Sequence, residues 1–415
     1  MAIVLAIALT IFGCEKLRQR TENTAPSPVI VKLSSWAANP AEQKLLKQLL
    51  NDFEVQHPGV KVKYEVINDQ YMDVIKTRFV GEAAPDVFYL DVFEAPFLMS
   101  QNVLEPLDAY IKPEFDLADF QSNLLDSFKY QNHIYGLPKD YSTLALFYNK
   151  KAFAAANLSN PPTTWDELRS DSKQLTIDQN KDGRIDQYGF GEIPELARQA
   201  YKIKAFGGQI VTESGYADFA SVAGLPGLQL AIDQYQKDRT SAQKSDVGTN
   251  SGSEMFGQGK AAMVIEGNWA VPYLKETFPQ LDFATAEVPT INDKKGTMVF
   301  TVAYVMNKLA LHKTEAWELI SYLTGKQGMQ KWTATGFALP TRKSVAENLG
   351  YDKDMKSAFV TGVDYAIPWQ VGKYPAVIMN NFDNQFVSAL LEQQPLKQAM
   401  ERSQQAANKQ IKAME

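Results

Sequence analysis

The residues whose types and spacing could hold a metal ion lie in one short polar segment, residues 178–186. Four oxygen-bearing side chains occupy positions 1, 3, 5 and 9 of a calcium-binding loop: Asp178, Asn180, Asp182 and Asp186. Gly183 suits the turn at position 6, but position 12 is Gly189 instead of the usual bidentate Glu. Two interpretations therefore stay open. One is a structural calcium site completed by Glu192, Glu195 or a distant carboxylate, and the other is a turn rich in Asp and Asn before a strand.

Other patterns that support catalysis or nucleotide binding are incomplete. The three histidines are scattered, so neither a zinc site nor a Ser-His-Asp triad has support. The stretch 257–260 fails as a phosphate-binding loop, which would need Gly in place of Glu254 and Ser or Thr in place of Ala261. The net charge of −6 argues against a nucleic-acid-binding protein, which usually has a clustered basic surface.

The elements that must position any site follow an α/β pattern. Alternating apolar residues predict strands at 29–33 and 60–66, and the apolar run at 85–90 predicts a strand buried on both faces. Between the first two strands, Asn39 suits the cap of a helix and Pro40 its first position. Strand, helix, strand, helix, strand predicts an α/β fold with a largely parallel sheet.

Farther along the chain the same alternation continues. A strand is predicted at 143–148, after Gly136-Leu137-Pro138, and a T-x-x-E capping box at 164–167 opens a helix. Another helix is predicted at 315–323, and the tail from about residue 384 reads as helical. The 415 residues are enough for two domains or more.

The N-terminus predicts export and lipid anchoring. Residues 2–12 are almost wholly apolar and lead to Gly13-Cys14, which resembles the lipobox of bacterial lipoproteins. We predict a signal peptide at 1–14, lipidation of Cys14, the only cysteine, and a flexible tether at 15–28. A short buried helix with a core cysteine is the alternative, which the polar, proline-containing tether disfavours. The apolar run is about half the roughly 20 residues that a bilayer span needs.

Several segments together resemble the extracellular solute-binding proteins of carbohydrate ABC importers, the group that includes maltose- and trehalose-binding proteins. Among them are Gly136-Leu137-Pro138-Lys139-Asp140-Tyr141 and Gly267-Asn268-Trp269. The other matching segments, in family order, are 35–36, 51–54, 84–87 with Asp91, 148–150, 162–168, 259–263, 316–320 with Gly336, and 339–342. No single segment is decisive, but their joint order spans nearly the whole mature chain.

The resemblance implies a type II periplasmic-binding-protein fold, in which two α/β lobes are joined by a hinge of several strands. We place lobe one at 29–139 plus 296–342 and lobe two at 143–292 plus 346–415. It also implies a monomeric binding protein without catalytic activity or cofactor, apart from the calcium considered above. Its expected partners are a neutral sugar and the permease subunits of an importer with a separate ATPase. The expected location is the periplasm or cell surface, with the membrane reached only through the lipid.

A sugar site needs aromatic faces for C–H patches and carboxylates or other polar groups for hydroxyls. Such groups are expected just after strands, where open α/β sheets bind ligands. From these positions and the resemblance we predict the following ligand-binding residues: Trp36, Glu42, Asp91, Asp140, Tyr141, Trp269, Asp364, Trp369 and Lys373. Trp36 could equally be a core residue, and Glu42 could equally cap its helix.

Two other functions stay open at this stage. A receptor for a polyamine, peptide or other charged solute would also suit a cleft rich in aromatic and acidic residues. A secreted glycoside hydrolase could use Asp91 and Asp140 as acid and base. The tryptophans near the predicted cleft favour sugar over a charged solute.

Overall fold

Residues 27–37, 40–353 and 355–414 are described by the structure, a computed structural model. The predicted signal peptide, Cys14 and most of the tether lie outside these residues. None of the helices in the described ranges combines the length and the apolar character that a bilayer crossing demands.

Twelve β-strands occur within the described residues. They are β1 (Val29–Ser35), β2 (Val60–Val66), β3 (Val87–Asp91), β4 (Lys129–Tyr130), β5 (His133–Ile134), β6 (Gly136–Asn149), β7 (Tyr188–Gly191), β8 (Ser241–Ala242), β9 (Ala261–Gly267), β10 (Phe283–Ala286), β11 (Thr297–Met306) and β12 (Ala366–Pro368). The strands predicted at the N-terminus are confirmed. The strand predicted from 143 is longer than expected, since β6 already begins at Gly136.

The α-helices in the same ranges are α1 (Pro40–Gln56), α2 (Tyr71–Val80), α3 (Ala95–Ser100), α4 (Ser122–Asp126), α5 (Lys150–Ala155), α6 (Trp165–Leu175), α7 (Leu196–Ala205), α8 (Leu225–Ile232), α9 (Gly252–Gly257), α10 (Ala270–Thr277), α11 (Lys313–Thr324), α12 (Lys326–Thr333), α13 (Lys343–Asn348), α14 (Ser357–Gly362), α15 (Pro375–Leu390) and α16 (Leu396–Met414). The predicted capping box is present, because Thr164 accepts from the Glu167 amide and the Glu167 carboxylate accepts from the Thr164 amide.

Ten strands form one mixed sheet in the order β2-β1-β3-β11-β6-β9-β7-β8, with β12 beside β11 and β10 beside β6. The strands are parallel toward both ends of this order, but β11 and β6 run antiparallel to their neighbours in the middle. The expectation of a largely parallel sheet therefore holds only for the outer strands. The α/β fold class is confirmed.

The two central strands, β11 and β6, connect two half-sheets. The first half-sheet consists of β2, β1 and β3, and the second consists of β9, β7 and β8. β6 pairs with β11 over residues 136–143 and then with β9 over residues 144–148. On one side α11 and α12 pack against α1. On the other side α15 packs against α7 and α8, and α16 packs against α8. α1 buries Leu46, Leu49, Leu50 and Phe53, the apolar stripe that turns this helix toward the first half-sheet.

Candidate functional site

The carboxyl ends of the two half-sheets face each other along β6. β3 ends at Asp91, which lies opposite Val302 of β11, and Val302 lies opposite Asp140 of β6. β9 ends at Gly267, opposite Leu144 of β6. The residues at which the two half-sheets end are thus only four positions apart on β6, about 13 Å along the strand. We call the space between these two sets of strand ends the cleft.

A β-bulge in β6 shapes one wall of the cleft. Val302 pairs with Asp140 and the next residue, Ala303, pairs with Pro138, so Lys139 is an extra residue without a partner in the ladder. Neighbouring side chains of a regular strand point to opposite faces. The bulge instead lets Lys139 and Asp140 meet, and the Lys139 ammonium forms an ion pair with Asp140 Oδ2.

The Asp140 carboxylate is buried, and one of its two oxygens is engaged by side chains. Besides the ion pair with Lys139, its Oδ2 accepts a hydrogen bond of 2.6 Å from the indole N–H of Trp332 on α12. Lys139 Nζ in turn lies 4.3 Å from the ring centre of Trp332 and 4.7 Å from that of Tyr89. A buried charge requires such partners, and here they hold Asp140 in one orientation.

Trp36 joins the same wall from the end of β1. Its ring meets Tyr71 and Tyr89 edge-on, with ring centres 4.9 Å and 5.1 Å apart. Tyr89 links it to Lys139. Trp36 is half-buried, so it both packs on the core and presents part of its ring beyond the strand.

Four aromatic side chains form a continuous row across the cleft, called the aromatic row below: Phe93, Trp369, Phe300 and Trp269. Phe93 follows β3 and stacks on Trp369 with ring centres 6.2 Å apart and planes 20° apart. Trp369 lies 6.4 Å from Phe300, and Phe300 of β11 lies 5.9 Å from Trp269. Trp369 is buried, whereas Trp269 is 38 % exposed and offers a free ring surface.

Gly267 explains how Trp269 lies where it does. The indole ring folds back over the end of β9, so that a Cβ at residue 267 would come within 2.1 Å of the ring. Only glycine permits this close approach. Gly267 therefore allows the Trp269 ring to present an aromatic face to the cleft.

Asp91 has a different environment from Asp140. It is half-buried, and its Oδ1 accepts a 2.8 Å hydrogen bond from the backbone N–H of Phe93. Burial raises the pKa of Asp91 to about 6, and the negative charges of Glu94 and Asp140 add to the effect. Asp91 is thus the cleft carboxylate whose charge changes near neutral pH.

Not all predicted site residues join this arrangement. Tyr141 is 1 % exposed and packs in a hydrophobic cluster behind the sheet, so its side chain does not face the cleft. Glu42, in contrast, does lie beside this arrangement, because it is half-buried in the first turn of α1 and borders a small depression together with Trp332. Asp364 and Lys373 are exposed, and none of the contacts described above links them to the aromatic row.

Four residues of the cleft were missed by the sequence reasoning: Phe93, Phe300, Lys139 and Trp332. Phe93 carried a usable signal, since it follows β3 two positions after Asp91. The other three did not, because one lies inside a strand, one in a bulge and one on a helix far along the chain.

The proposed calcium loop is held by its own backbone. Asp178 accepts hydrogen bonds from the backbone N–H groups of Asp182 and Gly183, and Asp182 accepts from that of Arg184. The geometry is that of turns built on Asp and Asn side chains. Within the described ranges, no three His, Cys, Asp or Glu side chains lie close enough to hold a metal together.

The fold and cleft define a class: an α/β protein of two half-sheets with a ligand cleft where central strands cross between them. The family model of the bacterial extracellular solute-binding proteins matches residues 37–330, and the chain belongs to this family. The two-lobe binding-protein fold predicted from sequence is confirmed by likeness to solved structures, described next.

A sugar-binding protein of Xanthomonas citri is 21% identical, with a TM-score of 0.80 over 92% of this chain and 97% of that one. An ABC substrate-binding protein of Listeria monocytogenes, solved with cycloalternan, is 21% identical, with a TM-score of 0.78 over 93% and 99%. These likenesses show the fold.

Among curated relatives, a maltotriose-binding protein of Pyrococcus abyssi is 24% identical over 69% of this chain and 60% of its own length. A galactooligosaccharide-binding protein of Bacillus subtilis is 25% identical over 76% of this chain and 74% of its own length.

Proposed function

We propose that this chain binds a neutral di- or oligosaccharide, or a small glycoside, and delivers it to the permease of an ABC importer whose ATPase is a separate subunit. The observation that carries the proposal is the aromatic row beside two carboxylates at the facing strand ends. Aromatic faces bury the C–H patches of a sugar ring, and carboxylates accept its hydroxyl protons in charge-assisted hydrogen bonds.

The charge of the cleft favours a neutral ligand over a polyamine. Lys139 already offsets the charge of Asp140, and Trp332 takes up the same oxygen. Asp91 has a raised pKa, so its charge is itself disfavoured in the unliganded cleft. A ligand with several positive charges would need more uncompensated carboxylates than these two provide.

The names of the relatives support the sugar assignment. The curated relatives reported above are described as binding maltotriose and galactooligosaccharide, and the Listeria protein was solved with cycloalternan. Opening and closing of the two half-sheets about β6 and β11 would enclose such a ligand, which is the usual motion of hinged binding proteins.

A glycoside hydrolase remains the second candidate, because Asp91 with its raised pKa has a property of a general acid. Asp140, however, is held by two partners on one oxygen, which limits its freedom to act as a nucleophile or base. The family consists of binding proteins. We therefore infer binding without turnover.

In this proposal, the protein works as a monomer outside the cytoplasmic membrane. A lipid on Cys14 and the segment 15–28 tether it there. A tether of this polar, proline-containing composition would let the binding region reach the permease while it stays near the membrane.

Thermal unfolding of the chain from residue 27 onward, with a panel of neutral sugars, glycosides, polyamines and amino acids, tests the proposal. A ligand at 100 times its Kd adds about 2.7 kcal/mol to the free energy of unfolding, which shifts Tm by a few degrees. We expect a shift with one class of sugar and no product after prolonged incubation. A shift only with charged solutes would contradict the sugar assignment, and product formation would establish the hydrolase instead.

A further inference from the structure

A second concavity lies beside the half-sheet of β9, β7 and β8, away from the cleft, and is called the rear pocket below. It encloses about 770 Å³, the size of a small-molecule site. Six of its lining residues matter for the argument: Tyr188, Tyr235, Arg184, Arg239, Lys260 and Ser241.

The rear pocket is distinct from the cleft by its place on the sheet. Tyr188 begins β7 and Lys260 directly precedes β9, and these two strands are parallel. The rear pocket therefore lies at their amino ends, whereas Trp269 follows the carboxyl end of β9. The seven residues of β9 separate the two sites by about 20 Å.

The rim of the rear pocket carries cations without carboxylate partners. Among the described residues, no ion pair involves Arg184, Arg239 or Lys260, although the chain as a whole has a net charge of −6. Two carboxylates also line the rear pocket. Asp246 is engaged by the Tyr235 hydroxyl at 2.9 Å and by the backbone N–H of Gln243, and the other is Glu392 on the edge.

A buried hydroxyl in the rear pocket lacks a hydrogen-bond partner. Ser241 is 3 % exposed, and its Oγ contacts no donor or acceptor within the part of the chain that the structure describes. A buried polar group in this state costs free energy unless a ligand supplies the missing partner. The Ser241 Oγ is covered by its neighbours, so it can donate to an oxyanion only when the side chains above it move aside, whereas the cations of the rim attract an oxyanion without such a movement.

We propose that the rear pocket binds a small ligand that bears a phosphate or carboxylate group. The oxyanion takes the Ser241 hydroxyl and the charges of Arg184, Arg239 and Lys260, and the rings of Tyr188 and Tyr235 cover the uncharged part of the ligand. The site is independent of the cleft, so its ligand and the sugar can bind at the same time.

Calorimetric titration at low salt and pH 7.5, with inorganic phosphate, pyrophosphate and citrate as probes, tests the proposal. Binding of phosphate or pyrophosphate but not citrate identifies a phosphate site, and the reverse identifies a carboxylate site. We expect Arg239→Ala and Lys260→Ala each to weaken binding about tenfold, the loss typical of a charged hydrogen bond. Added salt should weaken binding further. Lys275→Ala, the same change on α10 outside the rear pocket, is the matched control and should have no effect.

Ser241→Ala separates a ligand role from a structural one. Since the buried hydroxyl has no partner, its removal should leave Tm equal to or above that of the parent chain while the affinity for the anion falls. Trp269→Ala should leave anion binding intact, whatever it does to sugar binding. The proposal is overturned if no probe binds at millimolar concentration, if the rim variants bind as well as the parent chain, or if Trp269→Ala abolishes anion binding.

Discussion

Asp91 and Asp140 lie opposite the same residue, Val302, on the two sides of β11. Two interstrand spacings separate their backbones, about 10 Å. Lys139 and Trp332 fix the Asp140 carboxylate, whereas Asp91 has only the backbone N–H of Phe93. The cleft thus contains one carboxylate held by two side chains and one whose charge depends on pH.

Sugar affinity should fall as the pH drops through the pKa of Asp91. A hydroxyl that donates to Asp91 favours its ionised form, so binding is coupled to loss of a proton and weakens below a pH of about 6. At pH 5 the affinity should be about tenfold lower than at pH 7.5. Calorimetric titration at several pH values measures this. Asp91→Asn should bind weakly and without this pH dependence, and a parent affinity that stays constant from pH 7.5 to 5 would contradict the assignment.

The same residue should make the unliganded protein less stable at high pH. The folded pKa of Asp91 is raised above its usual 3.8, so its penalty is present above pH 6 and disappears as the pH falls below it. Asp91→Asn should therefore have a Tm at pH 8 equal to or above that of the parent chain, and this difference should vanish near pH 4. Comparison with the variant cancels the effect of Asp383, whose pKa burial also raises to about 6.

Breaking the Lys139–Asp140 pair should be costly. Lys139→Met leaves a buried carboxylate without its cation, which should lower the free energy of unfolding by about 3 kcal/mol, measured by urea denaturation. The double variant Lys139→Met with Asp140→Asn should recover much of that loss. Lys76→Met, which breaks the more exposed pair with Glu94, is the control and should cost about 1 kcal/mol or less. If Lys139→Met and Lys76→Met lowered the free energy of unfolding equally, burial would not make the Lys139–Asp140 pair more important than an exposed pair.

Trp269→Ala should remove the sugar-dependent shift in Tm while the unliganded protein keeps nearly its full stability. The ring is partly exposed, so little core packing is lost, but the open face of the aromatic row disappears. Sugar affinity should fall at least about tenfold, the loss expected for one stacked ring. Trp317→Ala removes a half-buried tryptophan that stacks on Tyr110 at 6.0 Å instead, and it should bind sugar normally. Sugar binding that survives Trp269→Ala would place the ligand elsewhere.

Two predicted site residues, Asp91 and Trp269, lie at or just beyond the end of a strand. Asp91 was predicted from the end of an apolar run, which composition alone reveals, and Trp269 was predicted from the family resemblance. Tyr141 was assigned to the cleft together with Asp140, because both follow Leu137-Pro138 where the hinge was expected to cross. They are in fact neighbours on β6, and adjacent strand residues face opposite sides of a sheet, so only Asp140 reaches the cleft.

Lys139 and Trp332 could not be predicted. A bulge is a property of the register between two strands, and the register between β6 and β11 joins residues about 160 positions apart, which no local pattern encodes. Trp332 lies on α12 and reaches Asp140 only through the packing of that helix on the first half-sheet. The mixed direction of the central strands was missed for the same reason, since alternation predicts a strand but not its partner.

Calcium binding at residues 178–186 stays a prediction, and the turn geometry now weighs against it. The oxygens of Asp178 already accept two backbone hydrogen bonds, and within the described ranges no three acidic side chains lie close enough to share a metal ion. We expect millimolar Ca²⁺ to leave Tm unchanged, and a chelator likewise. A rise in Tm that Asp182→Ala abolishes would instead establish the calcium site.

Lipidation of Cys14 is tested in cells that express the full chain. Incorporation of labelled fatty acid and recovery in the membrane fraction are expected for the parent, and Cys14→Ser should lose both while it retains sugar binding. Membrane recovery that persists in Cys14→Ser would refute the lipid anchor.

Lys139, the bulge residue that has no partner on β11, also shifts the alternation of side chains along β6 by one position. Residues 136–138 and residues 140–149 alternate between the two faces of the sheet out of step by one position, and each part is matched to the core of its own half-sheet. A chain that lacked Lys139 would restore a regular ladder and leave the side chains of both parts on their present faces, because each keeps its partner on β11, but the cation beside Asp140 would be lost. The extra residue is therefore not needed for the register of this strand, and what it adds is a buried positive charge next to a cleft carboxylate.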